Sequence, residues 1–211
     1  MITQGSPEWL QSRVGIITAS RISDVIAKTK TGESTSRGNY RAQLIAERMT
    51  GLAQESFCND AMRWGNEQEP YARIAYELVN GVMVEEVAMI KHPTIERAGA
   101  SPDGCIGDNG LVEIKCPNTA THIGYLIDNK PPAKYVPQMA WQLICTGREW
   151  CDFVSFDPRM SEPEQFFCVR YTPEPEYLAM LELEVKKFDD EIESVINQLM
   201  QRRLSILDIA A

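Results

Sequence analysis

"SPDGCIGDNGLVEIKCP", residues 101–117, is the stretch on which the reading of this chain turns. Asp103 stands ten positions before Glu113, and Lys115 follows two further on. Between the two acids, Gly107-Asp108-Asn109-Gly110 reads as a turn. Side chains alternate along a strand, so Glu113 and Lys115 point one way while Val112, Ile114 and Cys116 point the other. Folding the preceding segment back across the turn lets Asp103 approach Glu113. Two hard carboxylates near a lysine suit Mg²⁺ or Mn²⁺. The lysine can lower the pKa of a metal-held water, orient it, or offset charge on a phosphate under attack. A surface hairpin with solvated charges is the simpler alternative for such a spacing. The apolar strand around Glu113 speaks against it, because charges inside an apolar strand need a reason.

The rest of the composition narrows the choices. The chain has 211 residues, 44% hydrophobic and 24% charged, values that fit one globular domain with a real core. No apolar run approaches the ~20 residues of a membrane span. "MITQGSPEWLQSR" has no basic segment leading into an apolar one, which predicts no secretory signal and a cytosolic protein. The six cysteines (Cys58, Cys105, Cys116, Cys145, Cys151, Cys168) form no Cys-x-x-Cys pair and are expected to be free thiols. His92 and His122 follow neither zinc spacing nor a Ser/His/Asp pattern, so a catalytic metal must be held by oxygens. The net charge of −9 argues against a nucleic-acid partner on its face. Residues 1–50, however, carry seven Lys/Arg against four acids, and residues 161–211 five against eleven. A basic surface can therefore exist locally.

Along the chain, residues 18–28 read as a helix capped near Thr18 or Ser20, 29–39 as a polar loop, and 40–50 as a helix ending at Gly51. A longer helix is expected from Asp60 to the Asn80-Gly81 stop. The period then changes, predicting strands at 82–90, 96–106, 111–116, 150–157 and 164–172, with helices at 119–129 and 134–146. The tail, about 174–200, places Leu181, Val185, Phe188, Ile192, Val195 and Leu199 on one face of an amphipathic helix. This is a single α/β domain over residues 1–211, with a mainly antiparallel sheet by pattern.

At this point a resemblance emerges. Ser101-Pro102-Asp103-Gly104 followed by Glu113-Ile114-Lys115-Cys116-Pro117 resembles the PD-(D/E)xK nuclease core. "RVGIITASRI" (13–22), "WGNEQEPYAR" (64–73), "YVPQMAWQL" (135–143) and "FDPRM" (156–160) are similar, in order, to the lambda-exonuclease (YqaJ-type viral recombinase) branch. The matches span residues 9–160. The resemblance implies a restriction-endonuclease-like α/β core, a central mixed sheet flanked by helices. It implies that Asp103, Glu113 and the Ile114 carbonyl are metal ligands, that Lys115 is the catalytic lysine, and that Glu69 completes the acidic cluster. Gln138 would lie near the attacking water or phosphate, and Arg13, Ser20 and Ser101 would hold a 5′-phosphate. A guanidinium and hydroxyls near a helix start suit that task physically. Trp64-Gly65 would let the helix carrying Glu69 approach the sheet. Two departures stand out: Glu67 adds a carboxylate, and Pro137 implies that its helix begins late or kinks.

The implied activity is a Mg²⁺-dependent 5′→3′ exonuclease on linear double-stranded DNA, with Mn²⁺ as a substitute, releasing mononucleotides and leaving 3′ overhangs. No ATP is needed, and no G-x-x-x-x-G-K-[ST] loop occurs. The family further implies a homotrimeric ring, a single-strand annealing partner, and a phage or prophage protein in bacterial cytoplasm. A ring would reconcile the net charge with DNA, its channel lined by residues such as Arg21, Lys28, Lys30, Arg37, Arg41 and Arg48. An endonuclease would share Asp103, Glu113 and Lys115 without needing the phosphate pocket. A non-catalytic DNA-handling module would need none of them.

Overall fold

The computed structural model describes residues 3–30, 32–54 and 60–210. Its centre is a four-stranded sheet ordered β6 (Gly104–Ile106), β7 (Gly110–Lys115), β8 (Trp150–Phe156), β9 (Phe166–Tyr171). β6 and β9 pair antiparallel with their neighbours, whereas β7 and β8 run parallel. The sheet is thus mixed, as the family resemblance implied, with two of its three pairings antiparallel, as the pattern suggested. A parallel pair needs a crossover, here α5 (Thr119–Asp128) and α6 (Val136–Thr146).

Strand alternation distributes β7 between two layers. Val112 and Ile114 pack with Ala72 and Tyr76 of α4 (Asp60–Asn80) on one face. Leu111 packs with Met139 and Leu143 of α6 on the other. Glu113 shares the parity of Leu111 and so lies beneath α6. The turn between β6 and β7 places Gly107 at φ +50°, a left-handed conformation that favours glycine.

A second, three-stranded sheet orders β1 (Ile17–Thr18), β5 (Ala98–Ala100) and β4 (Ile90–Lys91). β1 pairs parallel with β5, and this long-range pairing overrides the helix expected over 18–28. Only a 3₁₀ turn (Ala19–Arg21) and α2 (Ile22–Val25) are helical there. The loop expected over 29–39 is instead the β2 (Lys28–Thr29)/β3 (Gly32–Glu33) hairpin and the start of α3 (Thr35–Thr50), where Ser34 accepts from Arg37 N–H. Of the strand expected at 82–90, one bridge from Glu85 to Cys105 precedes β4. The 96–106 strand breaks into β5 and β6 at Ser101-Pro102-Asp103, since proline has no N–H for a ladder.

α7 (Pro175–Ala210) buries Leu181, Val185, Phe188, Ile192 and Ile196 against α2, α3 and α6. The 3.6-residue period carries the buried face to Ile196, so Val195 is half-buried and Leu199 exposed, contrary to the sequence pattern. Residues 197–205 are all exposed. The short α1 (Pro7–Ser12), capped by Ser6, was not anticipated. Cys105, Cys116, Cys145, Cys151 and Cys168 are free thiols, and Cys58 lies outside the described residues. No described helix is long and apolar enough to cross a membrane.

The basic N-terminal quarter largely meets the acidic tail within the chain. Arg37 forms paired bonds to Glu191 at 2.8 and 2.9 Å and stacks on Phe188. Arg41 reaches Glu33 and Glu191. Arg48, with only 2% of its side chain exposed, bridges Asp189 and Glu193. Arg21 pairs with Asp24, and Lys28 with Glu184 at 3.5 Å. Arg48 therefore cannot line a channel, and Arg37 and Arg41 are committed to docking α7. The charge asymmetry of the sequence mainly reflects this contact between helices. Lys30 is exposed.

Candidate active site

The split between β5 and β6 and the C-terminal end of β7 open onto a cleft of about 570 Å³, walled by α4, α6 and the segment around α1. Arg13, Ser20, Glu69, Ser101, Asp103, Ile114, Lys115 and Gln138 all line it. Residues drawn from six separate stretches of sequence thus meet in one place. Glu113 lies just beneath, fully buried.

Asp103 is fixed by its own hairpin: its Oδ2 accepts the Ile114 N–H at 2.7 Å. Burial, and then the negative charge of Glu113, hold its carboxyl well above the usual range. Burial likewise raises Glu69, although Arg73, one turn on, forms an ion pair with it at 2.7 Å. Glu113 is hydrogen-bonded to Lys115 Nζ, to Gln138 Nε2 at 2.6 Å and to Gln142 Nε2 at 2.6 Å. Burial works against the Lys115 ammonium, but Glu113 and Asp103 outweigh it and push its pKa up. The lysine thus stands beside Glu113 as a hydrogen-bond donor. Its ammonium also lies 5.3 Å from the centre of the Tyr135 ring.

Among the described residues, no three Asp, Glu, His or Cys side chains close on one point as a ready cage. The donor chemistry nevertheless fits a hard divalent ion. Asp103 and Glu69 face the same cleft, and each is disfavoured as an anion by burial and by the other acids. A bound cation would relieve that mutual repulsion. Neither histidine takes part: His122 is held by Ser155 and the Glu164 carbonyl, and His92 Nδ1 accepts from Thr94 and Ile95 N–H.

In the same cleft, Arg13 Nη1 donates to Ser101 Oγ at 3.4 Å, and its guanidinium lies 4.3 Å from the Trp9 ring centre. Trp9 Nε1 also donates to Ser101, at 3.2 Å. Among the described residues no carboxylate forms an ion pair with Arg13; burial lowers its pKa, with Tyr40 and Glu47 opposing. A half-buried guanidinium without a counter-ion among the described residues, lining the same cleft as the hydroxyls of Ser101 and Ser20, is suited to an anion.

The sequence pattern did not reveal Trp9, Tyr135 or Gln142. For Gln142 the available signal was its i, i+4 relation to Gln138. One sequence detail falls out differently. A Cβ at Gly65 would meet nothing within 4 Å, so this glycine widens the cleft wall rather than permitting close helix–sheet approach. Pro137 sits in the first turn of α6, which begins late at Val136. Glu67 is exposed and does not line the cleft.

The YqaJ-like viral recombinase domain model matches residues 8–149. The chain belongs to the YqaJ-like viral recombinase family. Among solved structures, an alkaline exonuclease (LHK-Exo) from Laribacter hongkongensis is 45% identical, covers 95% of this chain and 100% of its own, and superposes with a TM-score of 0.89. LHK-Exo in complex with dAMP is 46% identical with the same coverage and TM-score. A phage-related exonuclease from Haemophilus somnus 129PT, 13% identical, shares the fold at a TM-score of 0.70 over 87% of this chain and 96% of its own. No curated protein matches the chain significantly. The mixed sheet with the acids and lysine at the β6–β7 hairpin is the PD-(D/E)xK fold.

Proposed function

We propose that this YqaJ-like protein is a 5′→3′ exonuclease that degrades one strand of linear duplex DNA from 5′-phosphorylated ends. The observation that carries this reading is the meeting of two chemistries in one cleft. Asp103, Lys115 and Glu69 line it together with Arg13, Ser20 and Ser101, and Arg13 has no ion-pair partner among the described residues. The solved complex of its relative with dAMP supports a cleft suited to a mononucleotide product.

Asp103, Glu113, Glu69 and the Ile114 carbonyl would hold Mg²⁺, or Mn²⁺ in its place; a divalent ion there supplies charge stabilisation to the phosphodiester and acidifies bound water. The chain's own residues do the rest. Arg13, Ser20 and Ser101 grip the terminal phosphate, so cleavage is referred to an end. Lys115, which donates to Glu113, offsets charge developing on the phosphoryl oxygens. Gln138 offers an amide where water or phosphate enters. Hydrolysis needs no ATP, and removal of successive 5′ nucleotides leaves a 3′ single strand. Such an overhang is the substrate of a single-strand annealing protein, the partner we assign in phage-type recombination within bacterial cytoplasm. We further assign a homotrimeric ring around the duplex. The exposed apolar residues on the outer face of α4 offer a surface for such assembly.

The test is digestion of linear duplex DNA beside a covalently closed circle, with Mg²⁺ or EDTA. Mononucleotides from the linear DNA alone, only with Mg²⁺, are expected. Nicking or linearisation of the circle would instead make this an endonuclease. Binding without any cleavage would make it a DNA-handling module.

A further inference from the structure

Between Met139 and Leu143, α6 buries four apolar side chains (Met139, Ala140, Trp141, Leu143) and one amide, Gln142, which is fully buried. That amide is half satisfied. Its Nε2 donates to Glu113 Oε2 at 2.6 Å, while its Oε1 has no partner among the described residues. A buried carbonyl oxygen without a donor destabilises a core, and a methionine of the same length would avoid it. The amide is thus poorly explained by packing and well explained by what it donates to.

Glu113 clarifies that role. Its parity on β7 turns it toward α6, and Gln138 and Gln142, one helical turn apart, lie on the same face. The two carboxylate oxygens have different partners. Oε1 is shared by Lys115 and Gln138, both of which line the cleft. Oε2 is held by Gln142, which does not reach the cleft. The geometry points to Gln142 as the positioning residue of Glu113: it pins the rear oxygen and so fixes the rotation with which the other oxygen is presented beside Lys115. This rests on the proposed reading of Glu113 as a ligand of a divalent cation. Outer partners of ligating carboxylates typically change metal affinity by about 10–100-fold when removed.

The test is a calorimetric titration of Mn²⁺ into DNA-free wild type and Gln142→Met, with metal-free thermal melting beside it. The expected result is a dissociation constant about tenfold or more weaker in the variant. The metal needed for half-maximal digestion should rise in parallel, and the preference for 5′-phosphate over 5′-hydroxyl ends should be unchanged. Should Gln142→Met not fold, Gln142→Asn keeps the amide but withdraws it by one methylene, and the same weakening is expected. An unchanged Mn²⁺ affinity in a folded variant, whatever its melting point, overturns the assignment and leaves Gln142 a core residue. Tighter binding would overturn it too, since Gln142 would then be restraining Glu113 from the metal. Absence of Mn²⁺ binding to wild type would be a different failure, that of the metal reading itself.

Discussion

Lys115 and Asp103 occupy the same hairpin, yet the surrounding charges push them toward opposite uses. Burial disfavours the lysine's ammonium, but Glu113 outweighs it and raises its pKa. Lys115→Ala should therefore lower nucleotide release by about 10²–10³-fold, while duplex binding in a gel-shift assay is largely retained. Asp103 holds its proton more tightly when folded than when unfolded, because burial and Glu113 disfavour the anion. A carboxyl raised in this sense makes metal-free stability decline as the pH rises from about 4 toward the raised native value. Melting curves across pH should show that decline in EDTA, and its loss in Asp103→Asn. Magnesium at about a hundredfold excess over its Kd should raise the Tm of wild type by about 5–10 °C and do little for Asp103→Asn.

At the scale of elements, the docking of α7 on α3 depends on Arg48. Its guanidinium is buried between Asp189 and Glu193, and its Nε donates to the Gly15 carbonyl at 2.8 Å. Arg48→Ala leaves those acids uncompensated and should cost about 3 kcal/mol, read as a lower urea midpoint with unchanged slope. The elements also show what the sequence could and could not convey. α4, β7, β8, α5 and α6 have long, regular periods, and the structure places them within a few residues of the pattern. β1 and β4 are two residues each and exist because β5 lies beside them. No local period marks a strand that short. The acids, the lysine and Arg13 were legible because they sit in dense local motifs. Trp9, Tyr135 and Gln142 were not, because each matters through a neighbour distant in sequence.

On the whole molecule, the apolar surface is unevenly placed. Tyr71, Ile74 and Leu78 follow helical spacing along α4 and are more than half exposed, and Met83 beyond it is 81% exposed. An apolar stripe of this kind is better suited to an interface than to water. If it joins copies in the proposed ring, Ile74→Glu with Leu78→Glu should shift sedimentation from trimer to monomer, leaving the melting point of the chain nearly unchanged. A ring would also give the acidic chain a way to retain DNA by enclosure. The central claim, that cleavage starts from a gripped 5′-phosphate, is tested most directly by a linear duplex carrying a 5′-phosphate on one strand and a 5′-hydroxyl on the other. Each strand is labelled at its 3′ end, and digestion by wild type is compared with Arg13→Ala. Wild type should shorten the phosphorylated strand from its 5′ end and spare the other. Arg13→Ala should lose about 10–100-fold in rate on that strand with little change on the hydroxyl strand. Equal digestion of both strands by wild type, or loss from 3′ ends, would contradict the account.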